Sequence, residues 1–600
     1  MGLFLPVLFT ALAVVPDPAT GGLSVADSRT GRTWSPVQCR GMAPAMRDVV
    51  AGKDGWSAVL DRSSNAAPVR VKVSFDAACP HEFTVELCGQ EGAFGPDLAW
   101  PPPFLTQAGD RLVIPRGEGF GYPVDEPHNG MRGLKAYAGH GLSMAFFGVV
   151  EDKTGAGWMA ILETADDVSV FTGRHCKSLW VAGPDWEPQK GKWGYVRKVR
   201  YVFFDGGGHV AMCRRYRWYA ESIGRVVTFA EKARRRPYVM KLPGSANFWL
   251  LDGRNVDRGA FARELVAAGF DRILWSSGGS DGDVRELRKI PGVLVGRYDI
   301  YQDVMDPSRK GEYARVLPTL VQEAFPHDIN RTGPAPEEWR RGWRERAKDG
   351  TNRIPLAVIC DSRALPYARR RISAELVHRP YDTRFLDTVT ASAWFECHHP
   401  DHPMTRTESR EWRMRLLDLV SGEFGLVCGS ETGHDAAVAF CDYFEGMMSP
   451  CPYRFPGGGQ RPEPEDAPVP LMTEKYQTGE RYRLPLWELV YHDCAVATWF
   501  WGDFSNKVPA VWEKRDLFNA LYGTSPMYCF SPADWRRDRE RYVRSFRRAT
   551  ETARLTAGAR MTDHVFLSPD RSVQRTEFSN GVAVTVDFAQ GTVRVDGAVR

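Results

Sequence analysis

Residues 238–277 read YVMKLPGSANFWLLDGRNVDRGAFARELVAAGFDRILWSS. An apolar run closes at Leu251, a polar turn follows, and apolar residues then recur at helical spacing in DRGAFARELVAAG before a second apolar run, DRILWSS. This is strand, helix, strand, the order of a parallel βαβ unit. The alternation continues through GDVRELRKI, GVLVGRYDIYQDV, IPLAVICD with YARRRISAELVHR, RFLDTVT and EFGLVCGSE. Over residues 236–555 it predicts a central (β/α)8 barrel, a fold of ~250 residues that here carries long inserts. Two inserts, FPHDINRTGPAPEEWRRGWRERAKDGTNR and CPYRFPGGGQRPEPEDAPVP, read as cleft walls or lids. A doubly wound sheet is the rival, but no GxGxxG follows any strand.

Outside this span the rhythm is period two. Residues 21–235, with VRVKVSFDA, HEFTVELCG and VRKVRYVFFDGGG, predict an N-terminal antiparallel β-sandwich. Residues 556–600, with Asn-Gly and Asp-Gly turns, predict a small C-terminal β domain. A chain of 600 residues exceeds the ~250 to 300 that one core fills, so several units are expected. Residues 1–20, MGLFLPVLFTALAVVPDPAT, have an apolar stretch of secretory length and read as a signal peptide, implying a secreted or periplasmic protein. No Lys or Arg precedes that stretch, and an apolar first strand is the alternative.

The 78 basic and 74 acidic side chains leave a net charge of +4, too little for a nucleic-acid partner. The clusters KARRRP and WRRDRERYVRSFRRAT read as solvated faces, the first within a linker and the second with Trp535, Tyr542, Val543 and Phe546 at helical spacing. No later run reaches the ~18 apolar residues of a membrane helix, so membrane insertion is not expected. Twelve cysteines without a CxxC pair signal neither a zinc ribbon nor a small disulfide scaffold. The 19 Trp exceed what a core needs, and stacking on sugar faces is one use for the surplus. Nothing in the sequence bears on oligomeric state.

In a barrel, residues at strand C-termini face the active site and those at N-termini face the stability side. Asp387 closes RFLD and Glu431 closes FGLVCGSE, so both point into the cleft, while Glu423 opens that second strand and belongs to the far face. Asp361, ending LAVICD, is a reserve. Two strand-end carboxyls suit glycoside cleavage, which needs one acid ionised and one protonated. Arg384, Thr388 and Thr390 favour a carboxylate at 387, whereas Phe, Leu, Val and Cys before Glu431 favour a protonated acid. The competing reading is that these acids cap helices or form ion pairs.

The loop after Asp387 holds Trp394, Cys397, His398, His399, Asp401, His402 and Arg406. His398 and His402 have the i, i+4 spacing of a helical zinc pair, but Pro400 and Pro403 break a helix there. The histidines are therefore read as hydrogen-bonding sugar hydroxyls, and Trp394 and Arg406 beside them as further substrate-binding residues. Trp249, Asp299, Asp303, His492, Asp493 and Trp501 are acids and aromatics resembling a sugar subsite. No cofactor is expected, and a structural calcium on loop acids is compatible with this reading.

FLDTVTASAWFECHHPDHPMTR, FGLVCGSETGHDAAVAFCDYFEGMMSP and LPLWELVYHDCAVATWFWGD resemble glycoside hydrolases of families 129 and 101, which release α-linked N-acetylgalactosamine or its disaccharide from mucin-type O-glycans. The resemblance implies a retaining mechanism with Asp387 as nucleophile and Glu431 as acid/base, on an α-linked N-acetylgalactosamine or galactose-type substrate. The chain lacks the accessory modules of family 101 and is closer to family 129. A retaining pair predicts carboxyl groups ~5 to 5.5 Å apart. Two other classes stay open: a glycan-binding protein on a barrel scaffold, and a metal-dependent hydrolase using the histidine-rich loop.

Overall fold

The computed structural model describes residues 8–597, except 10, 19, 38–43, 63–65, 90–93, 96, 128–130, 132, 138–140, 176–178, 318, 452, 457–458 and 460. It divides into two compact units, Met1–Tyr219 and Ala220–Arg600. Of the stretch read as a leader, residues 1–7 lie outside the described residues, and Leu12–Asp17 is a strand antiparallel to Gly22–Asp27 with Leu12 and Val14 buried. No helix among the described residues is long and apolar enough to cross a membrane.

The first unit is an antiparallel sandwich of four-, nine- and three-stranded sheets. Period two is explicit in Val69–Phe75, where Val69, Val71 and Val73 are buried and Arg70 and Lys72 are exposed. Trp158 of the nine-stranded sheet meets Trp34 of the four-stranded sheet edge-on at 6.3 Å, joining the two faces.

The second unit is the barrel. Its strands are β1 (Ala246–Leu250), β2 (Ile273–Trp275), β3 (Val293–Ile300), β4 (Thr383–Asp387), β5 (Val427–Glu431), β6 (Tyr443–Glu445), β7 (Val496–Ala497) and β8 (Met527–Phe530). All neighbours are parallel, and β8 pairs with β1. Between β7 and β8 the Ser525 N–H donates to the Ala497 carbonyl at 3.2 Å. Consecutive residues alternate sides: Leu274, Leu294, Phe385, Val427 and Tyr443 fill the interior, while Trp275 and Val295 pack outward with Phe261, Leu265, Trp535 and Phe546.

Helices α1 (Arg258–Ala268), α2 (Asp281–Arg288), α3 (Asp361–His378), α4 (Arg406–Asp418), α5 (Leu486–Tyr491), α6 (Pro509–Tyr522) and α7 (Pro532–Leu555) follow β1, β2, β3, β4, β6, β7 and β8. After β5 the helix shrinks to a 3-10 turn, Asp435–Ala437. The insert between β3 and α3 carries a three-stranded sheet of Asp303–Val304, Arg353–Val358 and Arg341–Arg346. The C-terminal four-stranded antiparallel sheet packs on α6, where Phe518 and Phe588 lie 4.5 Å apart.

KARRRP is not a solvated linker. Lys232 lies on the short helix Phe229–Ala233 and Arg236 in the turn beyond it, where the Arg236 N–H donates to the Lys232 carbonyl at 2.9 Å; both are buried, leaving Arg234 and Arg235 exposed. Lys232 Nζ donates to the Cys441 and Cys494 carbonyls, just before β6 and β7, and Arg236 pairs with Asp442 at 2.8 Å. These cations close the N-terminal floor of the barrel.

Tyr443 fits inside only because its neighbour on β5 is Gly429, where a Cβ would lie 2.0 Å from the ring. Gly429→Ala is expected to lower stability by about 1 to 3 kcal/mol through overpacking. Gly311→Ala, with nothing near its Cβ position, is the neutral control. Urea midpoints read the difference, and equal midpoints for the two variants would refute the steric account.

Candidate active site

β4 is buried to Leu386 and β5 to Ser430, and each strand then ends on a half-buried carboxyl, Asp387 and Glu431. Leu386 pairs with Ser430, so the two acids emerge side by side. They are close enough that each shifts the other's proton affinity. Asp387 also accepts from the Tyr298 hydroxyl at 2.6 Å and from the Thr388 N–H at 3.0 Å. Burial raises Asp387, and the bonds from Tyr298, Glu431 and Thr388 oppose that rise. Burial and then the Asp387 charge push Glu431 well above the usual carboxylate range, against the pull of Arg454. The shared proton therefore belongs on Glu431 and the charge on Asp387.

Two more acids line this mouth. Glu445, ending β6, is buried and accepts from Asn247 Nδ2 at 2.7 Å and Trp249 Nε1 at 3.1 Å. Asn247 is itself oriented by the Ser276 hydroxyl at 2.7 Å. Burial, with a smaller contribution from Asp387, pushes Glu445 up to about 7 although both donors oppose it. Burial and the Asp387 charge likewise push Asp303 up to about 7. Trp249 meets Tyr298, Phe385 and Trp501 edge-on at 6.3 to 6.4 Å, forming an aromatic wall. Arg454 donates to the Thr432 hydroxyl at 3.3 Å, directly after Glu431, and stacks on Phe500.

Of the residues singled out in the sequence, Trp249, Asp303, Asp387, Glu431 and Trp501 meet here. Asp299 does not, because strand parity turns it outward from β3 into a buried ion pair with Arg384 at 3.0 Å. His492 and Asp493 do not either. They precede β7 and so lie at the opposite end of the barrel, where His492 Nδ1 bonds the Ala559 carbonyl at 2.7 Å and the Asp493 carbonyl accepts from the Phe229 N–H. Asp361 starts α3 and is paired with Arg413 and Ser409, and Glu423 is exposed beside Arg369.

The loop after β4 packs largely on itself. Trp394 is buried edge-on to His434 at 5.1 Å, and Arg406 pairs with Glu396 at 3.3 Å. His398 lies 4.0 Å from Glu396. His399 and His402 are buried and stacked, so the expected sugar-facing role for His402 gives way to contacts with the His327 carbonyl and Cys397. The sequence reading missed Tyr298, Glu445, Asn247 and Arg454. Glu445 carried the same signal as Asp387, an acid ending an apolar run, but its strand has three residues.

Glu445 holds its proton to about pH 7 when folded, against 4.5 as the ordinary value. The folded state thus binds more protons than the unfolded one between these values, and stability falls as pH rises from about 4.5 to 7, by at most about 3 kcal/mol. Glu445→Gln keeps an oxygen to accept from Asn247 and Trp249 and removes this loss. Urea unfolding of parent and variant is expected to favour the variant by about 1 to 3 kcal/mol more at pH 8 than at pH 4.5. The same difference at both pH values would show that Glu445 takes up no proton.

The sequence profile of the glycosyl hydrolases related to GH101 family, GH129, matches residues 269–452 and 462–577, half of the chain. No curated protein matches. Among solved structures, ligand-free α-N-acetylgalactosaminidase NagBb from Bifidobacterium bifidum is similar over 98% of this chain and 100% of its own, at 21% identity and a TM-score of 0.76. Its GalNAc complex is similar over 99% and 100%, at 20% identity and a TM-score of 0.75. A GH31 family sulfoquinovosidase from E. rectale is similar over 91% and 78%, at 9% identity and a TM-score of 0.51. At these identities the likeness is one of fold, and the profile match carries the assignment: the chain belongs to glycosyl hydrolase family 129 and is a glycosidase.

Proposed function

We propose that the protein is a retaining glycosidase that removes α-linked N-acetylgalactosamine or a galactose-type residue from O-glycans by double displacement. The observation that carries this reading is the pairing of Asp387 and Glu431 at the ends of adjacent strands, one collecting hydrogen bonds from Tyr298 and Thr388 and the other pushed towards its protonated form. An inverting pair leaves ~6.5 to 9.5 Å for a water between its carboxyls, whereas acids leaving adjacent strands of one sheet stand on backbones about 4.8 Å apart, which favours the closer spacing of a retaining pair. A fold relative solved with GalNAc and with Gal-NHAc-DNJ supports the sugar class.

In the first step Asp387 attacks the anomeric carbon while Glu431 gives its proton to the departing oxygen. The bond to the aglycone breaks as the bond to Asp387 forms. Glu431, now ionised, takes a proton from water, whose oxygen attacks the same carbon and releases Asp387. In this reading Trp249 and Trp501, which meet edge-on at 6.4 Å, offer apolar faces to the ring, and Asp303 and Glu445 bind hydroxyls.

A panel of aryl α- and β-glycosides read by NMR is expected to give turnover on the α-N-acetylgalactosaminide or α-galactoside, with the α-anomer released first. The β-anomer first, or inertness of folded protein across the panel, would overturn the proposal. Asp387→Asn is expected to cut turnover at least ~10³-fold with the fold kept. Glu431→Gln should slow substrates with poor leaving groups ~10² to 10⁴-fold and activated aryl glycosides far less.

A further inference from the structure

A sulfur-rich cluster lies outside the carboxyl site. Cys360 is the residue before α3, at the end of the long insert after β3, and Cys397 and His402 lie in the loop after β4. All three are buried, and one donor atom from each falls within 4.8 Å of the others. Cys397 Sγ is 3.6 Å from His402 Nδ1, and the Met404 thioether is 3.9 Å from Cys360 Sγ. A tetrahedral ion with bonds of about 2.3 Å to sulfur and about 2.0 Å to nitrogen sets neighbouring donors ~3.5 to 3.8 Å apart. The Cys397–His402 spacing of 3.6 Å falls within that range, the Met404 spacing of 3.9 Å lies at its edge, and Cys360 is within 4.8 Å of both partners, a gap that a small side-chain rotation closes.

The surroundings also fit. His402 Nε2 lies 3.0 Å from the His327 carbonyl, which can only accept, so the ring proton sits on Nε2. The Nδ1 lone pair is left facing the sulfurs, the arrangement by which a backbone carbonyl orients a metal-binding imidazole. His399 stacks on this ring at 4.0 Å and 8°, fixing its plane. The Arg331 N–H donates to Cys397 Sγ at 3.4 Å, and the Ser362 hydroxyl lies 3.2 Å from Cys360 Sγ. Both contacts suit charged sulfur.

We propose that Cys360, Cys397 and His402, with Met404 beside them, form a buried site for one soft d10 cation, zinc(II) or copper(I). Two sulfurs and an imidazole select such ions over calcium or magnesium, which take oxygen. The ion is structural. It ties the insert that carries Asp303 to the loop that leaves Asp387, reinforcing the backbone bond from the His398 N–H to the Arg331 carbonyl at 2.9 Å where, among the described residues, no strand pairing joins the two. The sequence hid the site because Cys360 is 37 residues from Cys397, and because the i, i+4 pair of His398 and His402 points to different neighbours.

The test uses full-length protein and does not depend on glycosidase activity. Elemental analysis of protein purified without chelator is expected to find about one equivalent of zinc or copper, and competition with a copper(I)-specific chelator tells the two apart. Stripped protein titrated with cobalt(II) is expected to develop a thiolate-to-cobalt charge-transfer band saturating at one equivalent. The band should vanish in the Cys360→Ser, Cys397→Ser double variant. Zinc should raise the melting midpoint of the parent and leave the variant unmoved. If the double variant does not fold, His402→Gln keeps both sulfurs and must still change the cobalt spectrum. Folded parent protein binding neither added zinc nor added copper(I), or a spectrum unchanged by these substitutions, would overturn the proposal.

Discussion

Burial of four carboxyl groups beside one another governs the mouth of this barrel, and their mutual repulsion adds to it. Asp303, Glu431 and Glu445 each feel the charge of Asp387. Two charges about 4 Å apart at an effective dielectric near 20 repel by about 4 kcal/mol, so the group is not fully ionised near neutrality. The donors decide where the charge stays. Tyr298 and the Thr388 amide are spent on Asp387, while Asn247 and Trp249 moderate Glu445 without cancelling its burial. Proton location in the mouth thus follows from which strands supply donors.

The barrel was legible because a parallel strand buried on both faces reads as a continuous apolar run, and an acid ending such a run is conspicuous. Asp387 and Glu431 met that condition. Asp299 met it only superficially, since the reading located the strand end without its parity, and one residue of parity separates the cleft from the helix side. His492 and Asp493 were grouped with Trp501 by closeness in sequence, yet Leu486–Tyr491 is helical and the strand begins only at Val496, so the two residues enter at the opposite end of β7 from Trp501. The strand Arg341–Arg346, RGWRER, was hidden by its polarity, being largely solvent-facing on an inserted sheet.

Charge at the opposite end obeys the same logic with reversed sign. Lys232 and Arg236 lie where carbonyls and Asp442 converge before β6 and β7, so cations close the floor as carboxyls line the mouth. A basic cluster carries no mark of its destination in composition. Within KARRRP the two buried cations stand four residues apart with the two exposed ones between them, and the turn after the short helix Phe229–Ala233 sets which is which.

The backbone bears part of the cost of holding the acids. Thr388 and Thr432, the residues directly after Asp387 and Glu431, both have positive φ, 66° and 30°, a region that β-branched residues avoid at about 1 to 3 kcal/mol each. What they gain is local. The turn at Thr388 brings its amide back to Asp387 Oδ1 and its hydroxyl to the Asp387 carbonyl at 2.6 Å. The turn at Thr432 sends its amide to the Glu445 carbonyl and leaves its hydroxyl to receive Arg454. A glycine would accept either turn without strain, but it would supply no hydroxyl. The strain is therefore the structural consequence of turning the chain at the first residue beyond each strand, which fastens the Asp387 carboxyl at Thr388 and at Thr432 ties the exit after Glu431 to β6 and Arg454, where a straight exit would carry these donors away from the cleft.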